Sequence, residues 1–313
     1  MLRFILSRLI SAIPTLLLVA VTIFVLMRMV PGDPATLMLG DMADPDQVAA
    51  MRRSMGLDDP VWMQFLIWAG QVLRGDFGTS IALGDPVLPL ILDRFSVSAG
   101  IVMAAILLTV VIAVPLGMLA AWRQNSPGDL AVIGASTLLL SIPSFWMGLM
   151  LLLVFGLKLG WLPIVGYVPF GQDALAAARA MILPIATIVL VEMGSIVRMA
   201  RASMIEVTRL DYITHARAKG LSERAVMWRH AFRNAFAPTW TLIGLVLGSL
   251  LANIAVIETV FTIPGLGRLM IDAIYGRDYP LVQGCMLFIA VIYVAVNLLV
   301  DLVYPLLDPR VAE

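Results

Sequence analysis

The 313-residue chain is 61% apolar and only 13% charged, with a mean hydropathy of +0.96. Soluble domains are about 45–50% apolar and about 25% charged, so a water-soluble fold of this length could not hide so much apolar surface, and lipid must be part of its solvent. Net charge is zero, with 21 basic and 21 acidic residues, which leaves no basic footprint for nucleic acid; the single Cys285 rules out a disulfide framework, and His215 and His230 are too few for most zinc sites without carboxylates.

A helix needs about 20 apolar residues to cross the hydrocarbon core, and six segments meet or approach that length. The first is Leu9–Val30, interrupted by Pro14 and Arg28. Arg3 and Arg8 before it resemble the charged start of a signal peptide. The apolar run is too long for one, however, and Met29-Val30-Pro31-Gly32-Asp33-Pro34 offers no small-residue cleavage site, so it reads as an uncleaved span. An outer lobe follows, with nine aspartates against four arginines in residues 31–96. Turn signals at Pro31–Pro34, Gly75–Gly78 and Gly84–Pro86 surround a predicted helix near Pro45–Met55.

The second and third spans, Val97–Trp122 and Leu130–Leu157, carry no charge. The fourth, Ala180–Val197, is short and holds Glu192. The fifth is Ala235–Ile257, and the sixth is Tyr279–Val300, followed by Asp301. Apolar residues surround these helices on every side, and no alternating pattern suggests a β-barrel. The expectation is an all-α integral membrane protein with six transmembrane helices. Its domains would be 1–96 (first span plus outer lobe), 97–307 (five-helix core) and a tail at 308–313.

Orientation follows from basic residues in the loops. Eight of the 21 lie in residues 198–234, between the fourth and fifth spans. That segment is placed in the cytoplasm together with both termini.

No glycine or proline interrupts this loop before Gly220. Gly220 suits a position just past a helix and Ser222 an N-cap. A second, amphipathic helix is expected to run along the membrane surface to about Phe236, with Trp228, Phe232 and Phe236 on one face and Arg229 and Arg233 on another. Between the helices lies Thr214-His215-Ala216-Arg217-Ala218-Lys219-Gly220. Small residues there let a backbone settle into a partner's groove, with charged heads gripping the rim. On charge alone, an ordinary solvated loop reads better.

Ala216-Arg217-Ala218-Lys219-Gly220 resembles the so-called EAA loop of ABC importer permeases, in the form found in the dipeptide and oligopeptide branch. The resemblance continues through Val30–Pro34, Leu57–Pro60, Gly75–Gly78, Ile142-Pro143-Ser144-Phe145-Trp146, Gly160-Trp161-Leu162-Pro163, Arg229–Ala235, Pro264–Arg268 and Arg277–Pro280. The shared order is similar to the B-type subunit of peptide permeases. One departure is that His215-Ala216-Arg217 stands where the wider superfamily has Glu-Ala-Ala, so no glutamate contact carries over.

The resemblance implies a type I ABC importer permease architecture with a small periplasmic lobe, in a bacterial inner membrane. It implies a heterodimer with a second permease, two cytosolic ABC ATPase subunits, and a periplasmic or extracellular solute-binding protein. ATP and Mg would sit on the ATPases, no cofactor on this chain, and residues 214–220 would couple the two. The acidic lobe would either help seat the binding protein or be plain solvated loop. Consistent with this division of labour, there is no G-x-x-x-x-G-K-[ST] phosphate loop, and neither Lys158 nor Lys219 follows a glycine.

Intramembrane polar residues are costly and point to function. Glu192, Ser249 and Asn253 are the candidates for a translocation path; ordinary helix packing is the other reading of Ser249 and Asn253. Asn297 and Asp301 share a face and read as interfacial. Three other functions compete. An ion-gradient-driven secondary transporter would need a buried ion site, for which Glu192 is the one carboxylate well inside a span. An intramembrane hydrolase would need a histidine near an activated serine, yet both histidines lie in the inner loop. A membrane anchor fits poorly with polar residues in the spans. The cargo stays open among peptides, glutathione, nickel chelates and small glycoconjugates.

Overall fold

The protein is described from a computed structural model, for residues 2–29, 32, 34–39, 44–54, 56–164 and 166–307. Among these, every regular element is helical, and the one pairing of extended backbone is an isolated bridge between Thr79 and Pro86. The first span is α1 (Leu2–Met29). The lobe after it holds α2 (Pro34–Leu39), α3 (Pro45–Ser54) and α4 (Val61–Leu73). Of the expected turn at Pro31–Pro34, Pro31 and Asp33 lie outside the described residues, as do Met55 at the end of the expected lobe helix and the tail at 308–313.

The core begins with α5 (Val87–Trp122) and α6 (Pro127–Ser141). The third expected span is broken rather than straight. It divides into α6 and α7 (Ser144–Leu151), which runs into a π-helical turn, Leu152–Lys158, and the two halves meet at 101°. Pro143 explains the break. It has no N–H to donate, and it pushes the residue before it out of helical geometry; Ile142 is extended at φ −94°, ψ 122°. Among the described residues five helices are long and apolar enough to cross a membrane, and six spans result if the bent pair counts as one.

After the break come α8 (Ala174–Thr208), α9 (Asp211–Ala218), the single turn α10 (Glu223–Ala225), a π-helical stretch Val226–Ala231, and α11 (Phe232–Asn253). The predicted surface helix does not stop near Phe236: from Glu223 to Asn253 the chain is one continuous helix. Its aromatic face extends one step further, Trp228–Phe232–Phe236–Trp240, with successive rings 5.4–6.2 Å apart. Trp240 Nε1 donates to the Val300 carbonyl at 3.2 Å, so the far end of this ladder packs against the last helix instead of lying on a surface. The chain closes with α12 (Ala255–Val260), α13 (Leu266–Tyr275) and α14 (Tyr279–Leu307).

Helices approach closely where glycines stand, because lipid gives them no hydrophobic push toward one another and contact area must come from tight packing. A methyl group at Gly117 of α5 would collide with the Val197 carbonyl of α8. One at Gly194 of α8 would lie 2.6 Å from the Ser136 carbonyl of α6, and one at Gly248 of α11 would lie 2.8 Å from the Tyr293 ring of α14. The main core fills the space between α5, α8 and α11 with Val102, Ala105, Met118, Ile196 and Met204, all nearly inaccessible. A second core joins α5, α13 and α14 through Val87, Ile91, Leu266, Leu281 and Cys285. The helix α1 lies outside this bundle against α14, where Arg8 pairs with Asp301 at 3.3 Å. Several of its leucines and isoleucines face outward (Ile13 65% and Leu18 67% exposed), as a lipid-facing span requires, while Ile23 and Phe24 turn inward at 4% and 3%.

Candidate functional site

The helix α9 is short, and its packing decides which side it shows. Ile213 and Ala216, three residues apart and so on one face, are buried in the main core beside Val226, Met227 and Ala231. Thr214, His215, Arg217, Ala218, Lys219 and Gly220 are exposed. Of the seven candidate coupling residues, six therefore form an open surface, and Ala216 is its anchor.

The turn after α9 is a Schellman motif. Gly220 N–H donates to the Arg217 carbonyl at 2.9 Å and Leu221 N–H to the Ala216 carbonyl at 3.4 Å. Gly220 sits at φ +77° with open space around it. Glycine is required there by backbone conformation and not by crowding. Ser222 then caps α10 by accepting from Ala225 N–H at 3.4 Å. Gly220→Ala should cost about 1–2 kcal/mol, the penalty for a Cβ in the left-handed region; Gly220→Asn should cost less. Melting of the purified protein, followed by exposure of the buried Cys285 thiol to a reactive dye, checks the order.

Three clamps tie α9 to the bundle. Arg217 meets Glu223 through Nε at 3.0 Å, and its guanidinium lies 5.3 Å over the ring of Trp122 at the end of α5. Tyr212 Oη accepts from Asn234 Nδ2 at 2.7 Å. Beside the loop, Arg201 of α8 forks onto Asp129 at the start of α6, Nε to Oδ1 at 2.6 Å and a terminal nitrogen to Oδ2 at 2.8 Å. Asp129 is wholly buried and also accepts from Asn125 N–H at 2.9 Å. Sequence reasoning gave Asp129 and Arg201 no role. They are 72 residues apart, and the one local sign was Ser126-Pro127-Gly128-Asp129, a helix start with a cap and an acidic third position.

The path candidates do not come together as a cluster. Glu192 is half-buried in α8, and among the described residues no partner holds its carboxylate. Ser249 and Asn253 are exposed on α11 and donate to their own helix, to the Val246 carbonyl at 2.9 Å and the Ser249 carbonyl at 3.0 Å. With Thr241 and Leu245 they form an exposed stripe at helical spacing. A crevice of about 730 Å³ opens between α6, α8 and α11, lined by Thr137, Leu140, Ser195, Arg198, Arg201 and Leu242. Among the described residues no group of three or more His, Cys, Asp or Glu is placed to hold a metal ion.

At the opposite end of α5, two buried carboxylates pin the loops. Glu258 accepts from Ser98 Oγ at 2.5 Å and from Arg268 N–H at 2.9 Å, and Ser98 Oγ in turn accepts from Leu266 N–H at 2.8 Å. A methyl group at Gly265 would overlap the Glu258 carboxylate, which accounts for the first of the two glycines in Pro264–Arg268. Burial pushes the Glu258 carboxyl above its ordinary range, against the Ser98 hydroxyl, the backbone amides of Arg268 and Gly267 and the Arg268 charge, which all favour its ionised form. Asp278 accepts from Ser80 Oγ at 2.5 Å and from Ala82 and Leu281 N–H, tying the end of the lobe to the start of α14.

Residues 113–313 match the family described as "Binding-protein-dependent transport system inner membrane component", and residues 1–113 match its N-terminal counterpart. A Brucella suis biovar 1 protein, provisionally named a peptide transport system permease protein, is 41% identical over 307 residues, covering 98% of each chain. The dipeptide transport system permease protein DppB of Escherichia coli K12 is 37% identical over 335 residues, and the oligopeptide transport system permease protein AppB of Bacillus subtilis 168 is 36% identical over 314, each covering 99% of both chains. Among solved structures, one titled as an amino acid ABC transporter with histidines superposes with a TM-score of 0.51, over 71% of this chain and 94% of that one. At 15% identity the likeness speaks for the fold alone.

Proposed function

Because the chain belongs to the family of binding-protein-dependent transport system inner membrane components, we propose that it forms one half of a pore for short peptides and takes its mechanical drive from cytosolic ATPases through α9 and the turn at Gly220. The chain is a multi-pass inner-membrane permease subunit of a binding-protein-dependent importer, and not itself an enzyme. Nothing in the fold or the relatives supports the ion-gradient alternative.

The observation that carries the coupling role is the combination of an open face on α9 with a rigid attachment beneath it. Thr214, His215, Ala218, Lys219 and Gly220 are exposed. Ile213 and Ala216 are locked in the core, and Arg217 reaches both Glu223 and the end of α5. A push on such a face moves the spans instead of bending the loop, which is what rigid-body switching needs. In this reading Arg217 serves the attachment, while the small Ala218 and the turn at Gly220 meet the partner.

A second, homologous permease would complete the path across the exposed stripe Thr241–Leu245–Ser249–Asn253 and the crevice beside Arg198, with Glu192 behind it in α8. ATP and Mg belong on the two ATPases, and an external binding protein delivers cargo to the face carrying Glu258 and Asp278. The acidic lobe at residues 31–96 lies on that same side, with residues 198–234, the tail and both termini in the cytoplasm. Peptides are the proposed cargo because the names of the full-length relatives say so of those proteins.

Copurification from mild detergent tests the assembly. Tagged chain should bring down a second permease and two ATPases, and the reconstituted complex should move a labelled dipeptide only with ATP and binding protein. Uptake of solute by the purified chain alone, driven by an ion gradient, would overturn the proposal.

A further inference from the structure

The lobe helix α4 has no role in the function above, and the fold leaves much of its surface bare. Its 13 residues contain no charge and only two polar side chains, Gln64 and Gln71. None of its residues is buried. Trp62 is 61% exposed, Leu66 56% and Leu73 88%. Such an apolar surface left to water is an aggregation liability, so something covers it.

We propose that α4 lies flat in the headgroup region of the bilayer, at the end of the span α1, with its Trp62–Leu66–Leu73 face dipped into the acyl chains. Four observations converge on lipid as the occupant. Length is the first: 13 residues reach about 20 Å, short of the about 30 Å hydrocarbon core, so α4 cannot cross. Its ends are the second. Asp58 and Asp59 precede it and Arg74 and Asp76 follow it, so both ends stay in water and the helix runs along the surface.

The third is its polarity around the axis. At 100° per residue, Gln64 and Gln71 share one side, and Trp62, Leu66 and Leu73 fall opposite. On the polar side the protein holds Gln64, whose Nε2 donates to the carbonyls of Leu57 and Asp59 in the preceding turn at 3.0 and 2.8 Å, while Gln71 is open to water. The apolar side is left bare. The fourth is continuity with a lipid-facing surface. Between the two sides, Phe65 and Trp68 pack on Phe24 of α1, with ring centroids 5.4 and 5.6 Å apart. One turn on, the Arg28 guanidinium lies 4.9 Å over the same ring, marking where the span leaves the hydrocarbon. That position places α4 at the depth where tryptophan is favoured.

The test uses the full chain with its copurifying subunits, in phosphatidylethanolamine–phosphatidylglycerol liposomes. Single nitroxide labels go on Trp62→Cys, Leu66→Cys, Leu73→Cys and, as the opposite face, Gln71→Cys, each in a Cys285→Ala background. Collisions with oxygen, which partitions into lipid, are compared with collisions with water-soluble nickel-EDDA. Labels at 62, 66 and 73 should favour oxygen, and the label at 71 should favour nickel. Nickel at all four positions would overturn the proposal, as would shielding from both reagents at 62, 66 and 73, which would mean a protein partner covers the face. Should the labelled variants assemble poorly, native fluorescence decides. Lipids brominated high on the acyl chain should quench wild type more than Trp62→Phe, and equal quenching rejects the idea.

Discussion

Arg201→Ala is expected to destabilise the protein by about 3–5 kcal/mol, the cost of leaving a buried charge without its partner. The Asp129 side chain has no exposure to solvent. Without the two bonds from Arg201, at 2.6 and 2.8 Å, its carboxylate keeps one donor across the turn, the Asn125 N–H. Asp129→Ala should be damaging too, since it strands the guanidinium. The paired change Asp129→Asn with Arg201→Met should recover much of the loss, because it removes both charges and leaves an oxygen for Asn125 N–H. Cys285 is the chain's one thiol and is buried, so its reaction with a dye during heating reports unfolding directly. If Arg201→Ala melts with wild type, the pair is not a structural tie. The consequence extends to transport. This fork joins α6 to α8 beside the coupling loop, and a stable but untied α6 would lag behind α8, so the paired variant should fold well and transport poorly.

The second large effect separates docking from folding at two alanines on α9. Ala218 is exposed, so Ala218→Trp should change stability by no more than about 0.5 kcal/mol, as surface substitutions do. If α9 is the foot that enters the ATPase, the same bulk should weaken ATPase association at least tenfold, about 1.4 kcal/mol, and uncouple ATP hydrolysis from uptake. Ala216 is 5% exposed and sits in the core, so Ala216→Trp should instead overpack and cost about 1–3 kcal/mol of stability, with weaker association following from misfolding. Copurified ATPase per tagged chain, measured alongside the melting curve, distinguishes the two. Wild-type association in Ala218→Trp would remove this face of α9 from the coupling role.

Much of the local scheme was legible because hydropathy and turn chemistry are properties of short windows. The five long apolar helices, the left-handed glycine at 220 and the cap at Ser222 all lie where the residues predict them. The remaining features are hidden from any short window. Pro143 gives no sign of a hinge in the sequence, since an apolar run on both sides masks the missing N–H. The amphipathic pattern after Ser222 gives out near Phe236, although Trp240 continues the same face into the next span. The lobe helix α4 leaves no clear signal, because its 13-residue apolar run is too short to register as a span.

By itself, the sequence determined that the chain lives in lipid, roughly where it crosses, and which loop carries the basic residues, because these depend on the transfer free energy of side chains one window at a time. Only the tertiary structure decided which polar residues hold the fold: Asp129 with Arg201, Ser98 with Glu258, and Ser80 with Asp278 are joined across 72, 160 and 198 residues. It also decided that Ala216 faces the core while Ala218 faces out. Inside a low-dielectric bundle a charge or hydroxyl survives only where packing brings it a partner, and nothing in the order of residues along the chain says which helices will meet.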